Sequence, residues 1–126
     1  MTVVLDASAL LAVILEESGA DRVLEAGPNY LMSAVNFGEV LTKIVERGGA
    51  VADVQARIAP LAIRLQAFGE VDAIEVARLR PLTRHLGRSF GDRACLGLAG
   101  TLGLPLLTAD GKWSALDIGV DIIQIR

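Results

Sequence analysis

The 126-residue sequence predicts an α/β fold, a short and mostly parallel sheet with helices on both faces. Three observations predict it. Short apolar runs, each about the length of a small strand, recur at 2–6, 30–33, 105–108 and 120–125. The stretches between them carry helical periodicity or composition. With 52% hydrophobic and 21% charged residues, the chain has the makeup of one globular domain spanning residues 1–126.

The elements follow in order. Residues 2–6 form a β-rich strand ending at Asp6. Residues 8–17 and 20–26 form helices, the second closing at the Gly27-Pro28-Asn29 turn. After the strand at 30–33 comes an amphipathic helix over 34–47. Its Phe37, Val40, Leu41 and Ile44 repeat at i, i+3, i+4 and i+7, and Gly48-Gly49 ends it. Residues 50–68 are helical in composition, with a break or kink at Pro60, and 69–73 form a short strand. Residues 74–86 are helical, broken at Pro81. Residues 92–102 have no charge beyond Asp92 and Arg93, which predicts a buried helix. A strand at 105–108, a helical turn at 112–116 and a strand at 120–125 complete the chain.

Composition narrows the function classes. A net charge of −3 and high apolar content exclude disorder. The mean hydropathy of +0.50 raises the question of a membrane span. The longest uncharged run, 94–109, is interrupted by Gly97, Gly100, Gly103 and Pro105 and is too short to cross a bilayer. With no basic segment ahead of the early apolar stretch, a cytoplasmic protein without membrane association is expected. The single cysteine, Cys95, excludes a disulfide framework and a multi-cysteine zinc site. Charge is uneven: Arg78, Arg80, Arg84, Arg88, Arg93 and His85 face one acid, Asp92, in that segment. Such a segment holds a polyanion locally without making the chain a bulk nucleic-acid binder.

Four acids fall where a parallel α/β sheet builds its sites, at the carboxyl ends of strands. Asp6 ends the first strand, Glu39 lies about two turns into the helix after the second, Asp92 opens the buried helix, and Asp110 follows Leu-Leu-Thr108. Two carboxylates ~4 Å apart repel by about 4 kcal/mol at an effective dielectric near 20. Four together therefore retain protons or hold a cation. Oxygen-only donors favour Mg²⁺, with Mn²⁺ as the alternative. Each acid also has a purely structural reading. Asp6 can cap the following helix, Ser89 and Asp92 can form a reciprocal cap, Asp110-Gly111 can be a turn, and Glu39 can pair with Lys43.

The stretches Val-Val-Leu-Asp6-Ala-Ser8, Ser33-Ala-Val-Asn36-Phe-Gly-Glu39, Gly91-Asp92-Arg-Ala-Cys-Leu and Leu-Leu-Thr108-Ala-Asp110-Gly-Lys-Trp113 resemble the four blocks of the PIN-domain family. More narrowly, they resemble VapC-type toxins of bacterial toxin–antitoxin pairs, over essentially the whole chain. The resemblance implies a three-layer α/β/α sandwich and a Mg²⁺-dependent ribonuclease. Asp6 and Asp92 would be the principal metal ligands, and Glu39 and Asp110 would complete the catalytic pocket. Ser8, Asn36 and Thr108 would support the ligands by hydrogen bonds, and Trp113 would pack beside them. It also implies a VapB-like antitoxin as partner. The apolar excess of the helices suggests a homodimer with a partner covering further surface; the resemblance implies that this partner is the antitoxin, in a toxin–antitoxin hetero-oligomer.

Arg84, Arg88 and Lys43 are candidate RNA contacts. The alternatives for them are a solvated helix face and, for Lys43, an ion pair. His85 reads as a surface residue and Cys95 as core. Haloacid-dehalogenase-type phosphotransferases require an acid two positions after the first Asp, where this chain has Ser8. Receiver-type signalling domains require a first-strand acidic pair and a terminal Lys, both absent. A housekeeping PIN-domain nuclease and a non-catalytic PIN scaffold that binds RNA or protein remain as alternative functions.

Overall fold

The computed structural model describes residues 1–86 and 89–126, with only the backbone at Leu86. Five strands form one sheet: β1 (Val3–Leu5), β2 (Tyr30–Ser33), β3 (Arg64–Gln66), β4 (Leu106–Thr108) and β5 (Ile122–Gln124). Their order is β3-β2-β1-β4-β5, and every neighbouring pair is parallel. The helices are α1 (Ala7–Ile14), α2 (Ala20–Glu25), α3 (Ala34–Glu46), α4 (Val51–Ile58), α5 (Glu70–Thr83) and α6 (Phe90–Leu102).

Side-chain alternation along the strands divides the core between two faces. Val3, Leu5, Tyr30, Met32 and Leu107 pack with residues of α1 to α4, while Val4, Leu31 and Leu106 pack under α5 and α6. This is the expected α/β/α sandwich, and its sheet is wholly parallel.

The structure corrects one region. Residues 64–66, inside the stretch expected to be helical, form β3, and 69–73, expected as a strand, open α5 instead. The cause is local. After α4, a 3-10 turn at Ala59–Leu61 contains Pro60, and Ala62 adopts φ 50°, which turns the chain into an extended segment. Gly69 then starts α5, with its backbone N–H donating to Asp72 Oδ2 at 2.8 Å. β3 is an edge strand exposed at all three residues, so it lacks the apolar signature of a buried strand. Pro81 does not break α5 but sits in its last turn.

The chain moves outward from β1 through β2 to β3, then returns to the other side of β1 with β4 and β5. The carboxyl ends of β1 and β4 thus flank the switch point of the sheet, where α/β folds leave a crevice.

Leu107 is 1% exposed in β4. Leu107→Ala is expected to destabilise the protein by about 2–5 kcal/mol through lost burial and a residual cavity, read as a lowered urea midpoint by far-UV circular dichroism.

Candidate active site at the carboxyl edge of the sheet

Asp6 is the first residue after β1 and the N-cap of α1. Its Oδ1 accepts the Ala9 backbone N–H at 2.8 Å. Ser8 Oγ, 2.7 and 2.9 Å from the two carboxylate oxygens, donates to the same group. Thr108 Oγ1, from the end of β4, donates to Oδ2 at 2.6 Å. These hydroxyls also bind the β4 loop: Thr108 Oγ1 accepts the Asp110 N–H at 3.0 Å and Ser8 Oγ accepts the Ala109 N–H at 2.9 Å. The switch point is therefore stitched closed around one carboxylate, which is 5% exposed.

Asn36, 1% exposed in the first turn of α3, sets the second group. Its Nδ2 donates to Glu39 Oε1 and to the Gly91 carbonyl, each at 2.8 Å. The Asn36 Oδ1 is buried without a donor. A Cβ at position 91 would run into the Glu39 carboxylate, so glycine there leaves the space that the acid occupies. Asp92 and Ser89 form a reciprocal cap at the start of α6: the Ser89 N–H donates to Asp92 Oδ2 at 3.1 Å, and the Asp92 N–H to Ser89 Oγ at 3.2 Å. Asp110 caps the 3-10 turn Gly111–Ala115 by accepting the Lys112 N–H at 3.0 Å. Gln124 of β5 donates to the Asp110 carbonyl at 3.0 Å.

All four acids line one cavity of about 330 Å³, together with Ser8, Asn36 and Trp113. Thr108 lies behind Asp6, fully buried. Burial pushes the Asp6 carboxyl up to about 6; the bonds from Thr108, Ser8 and Ala9 oppose that rise, and the charge of Asp92 adds to it. Below the site lies Cys95, fully buried, whose thiol is raised first by burial and then by Asp6, Asp92 and Glu39.

The structural readings of Asp6, Asp92 and Asp110 are all realised, while Glu39 and Lys43 form no ion pair among the described residues. Lys43 lines the cavity beside the acids. Arg84 is exposed in the 3-10 turn after α5 and is not part of the cavity lining. Arg88 lies outside the described residues. Residues not anticipated from sequence also contribute: Gly91 makes room for Glu39, and Arg47 and Arg126 line the cavity. Spacing along α3 held the signal for Arg47, eight residues beyond Glu39. Nothing local marked Gly91 or Arg126.

The donors suit a hard divalent cation. They are oxygens throughout, and Asp6 is buried with only neutral hydrogen-bond donors around it. Among the described residues, no three Asp, Glu, His or Cys side chains are grouped to hold an ion directly.

A parallel sheet with carboxylates gathered at its switch point defines an α/β protein of the acidic-site class. The model of the PIN domain matches residues 3–119, and the chain belongs to that family. No curated protein sequence matches it. Solved structures share its fold. A toxin–antitoxin complex chain from Klebsiella pneumoniae aligns with a TM-score of 0.75 at 17% identity, covering 98% of each chain. VapBC2 from Rickettsia felis, bound to a DNA fragment from their promoter, gives 0.76 at 15%, again over 98% of both. Mycobacterium tuberculosis VapC20, a sarcin–ricin loop cleaving toxin, gives 0.73 at 19%, over 94% of this chain and 98% of that one.

Raising a carboxyl from its ordinary 3.8 to about 6 means that the folded state holds the proton more tightly than the unfolded state does. The associated stability is full below pH 4 and is lost as pH rises through 6. In chelator, Asp6→Asn is therefore expected to melt higher than the parent at pH 7, by up to roughly 3 kcal/mol, and to lose that advantage at pH 4. Mg²⁺ is expected to raise the melting temperature of the parent and not of Asp6→Asn.

Proposed function

We propose that this protein is a Mg²⁺-dependent ribonuclease that hydrolyses RNA phosphodiester bonds as the toxin of a VapBC-type pair. The observation that carries the reading is the meeting of Asp6, Glu39, Asp92 and Asp110 at one cavity, with Asp6 buried and without a cationic partner among the described residues. Keeping such a group as a passive scaffold is costly; a divalent ion relieves it.

Asp6 and Asp92 would hold the ion, with Mn²⁺ as a substitute. When bound, it supplies Lewis-acid activation of water and charge neutralisation at the phosphate. The protein's own groups do the rest. Ser8, Thr108 and the Ala9 N–H fix the Asp6 carboxylate. Glu39 is the most open of the four acids and is aimed by Asn36. It accepts the proton of the attacking water as the oxygen bonds to phosphorus. The bond to the 3′ oxygen breaks, and that oxygen takes a proton from solvent. Asp110, tied to Thr108 through its backbone N–H, orients the water from the other side.

Structural neighbours include toxin–antitoxin complexes, which supports a VapB-like antitoxin as partner. Exposed apolar side chains at Val71, Ile74, Leu82 and Phe90 provide surface for it and for a homodimer. Among the described residues, no helix is long and apolar enough to cross a membrane.

Purified protein with single-stranded RNA is expected to cleave in Mg²⁺ or Mn²⁺ and to stop in chelator. Glu39→Gln is expected to lose on the order of 10²–10⁴-fold in kcat while keeping its circular dichroism spectrum. Cleavage that persists in chelator overturns the reading. Gly91→Ala should fold, because the atoms it displaces end a flexible side chain, yet show a reduced kcat because Glu39 is pushed off Asn36.

A further inference from the structure

The cavity that holds the acids is also lined by Lys43, Arg47 and Arg126, by Leu11 of α1 and by Leu15 at its C-cap. Arg126 is occupied: it donates to the Ser18 carbonyl at 2.9 Å and lies 3.6 Å from Glu17. Lys43 and Arg47 are different. Both are exposed, and neither forms an ion pair among the described residues.

Their spacing is regular. From Glu39, Lys43 lies one helical turn along α3 and Arg47, the C-cap of that helix, a second turn beyond, at rises of about 6 and 12 Å. This is the scale on which successive phosphates follow one another along an extended single strand. Steps of four residues keep all three on neighbouring azimuths of one helix face. An acid-lined cavity repels a polyanion, so a strand reaching it needs cations in line with the reacting centre.

Resting on the ribonuclease reading, we infer that Lys43 and Arg47 form a phosphate track. They bind two consecutive phosphates of single-stranded RNA on one side of the scissile bond, whose own phosphate lies beside Glu39. Leu11 and Leu15 give the same channel an apolar wall. The track reads no bases. It sets the strand's path and the minimum length for efficient cleavage.

The test compares a dinucleoside monophosphate, which has only the scissile phosphate, with an octanucleotide. In the parent, the octanucleotide is expected to have the higher kcat/KM. Lys43→Ala and Arg47→Ala should each shrink that advantage several-fold through KM, and the double variant should shrink it further. Direct binding of the octanucleotide to Asp6→Asn protein supplies a second readout. The slope of log Kd against log salt should fall by about 0.7 for each cation removed. Arg64→Ala, which removes an exposed charge from the β3 edge, should leave the slope unchanged.

Equal losses on both substrates would overturn the track, placing the cations in the chemical step. An unchanged length advantage and salt slope would overturn it too, leaving them to a protein partner. If the parent cleaves neither RNA, the ribonuclease reading fails. The binding slopes then decide the track alone: a slope that falls with each cation supports it, and one that does not overturns it.

Discussion

The site is organised around a single buried carboxylate at the switch point of a parallel sheet. Asp6 ends β1 in the one place where the chain's outward and return paths separate, and hydroxyls from its own turn and from β4 close over it. Burial makes its charge expensive, and the hydrogen bonds only partly offset that. The charge of Asp92 raises the cost further. A divalent cation would relieve this conflict, and the proposed chemistry would use the same ion.

The capping roles of these acids do not compete with catalysis. An N-cap holds its side chain in an extended backbone position at a helix start, with one oxygen engaged by a backbone N–H. Asp6 on α1 and Asp110 on its 3-10 turn are fixed this way, while Asp92, in the first turn of α6, is fixed by accepting the backbone N–H of the N-cap residue Ser89. A capping bond engages only some of a carboxylate's lone pairs and does not by itself bar the group from a role in the cavity. Local structure thus aims groups that distant parts of the chain bring together.

Helix α3 joins the parts of the site. Its first turn carries Asn36, which binds Glu39 on its own helix and the Gly91 carbonyl across to α6. Further along, Lys43 and Arg47 line the same cavity. One helix with its C-cap therefore carries Glu39, Lys43 and Arg47 to the same cavity. A glycine is needed at position 91 because the Glu39 carboxylate occupies the volume a side chain would fill.

The sequence by itself determined the α/β class, four of the five strands and the edge of the sheet to which Asp6, Glu39, Asp92 and Asp110 belong. Buried parallel strands are short apolar runs, and residues at their carboxyl ends share an edge whatever the detailed packing. Strand β3 was not legible, because a strand exposed at all three residues leaves no apolar pattern. Only the tertiary structure decided that Gly91 must make room for Glu39, that Thr108 donates across to Asp6, and that Arg126 joins residues of α3 in lining the cavity. These are contacts between residues far apart in the chain. Their geometry depends on how the layers pack, and no local spacing encodes it.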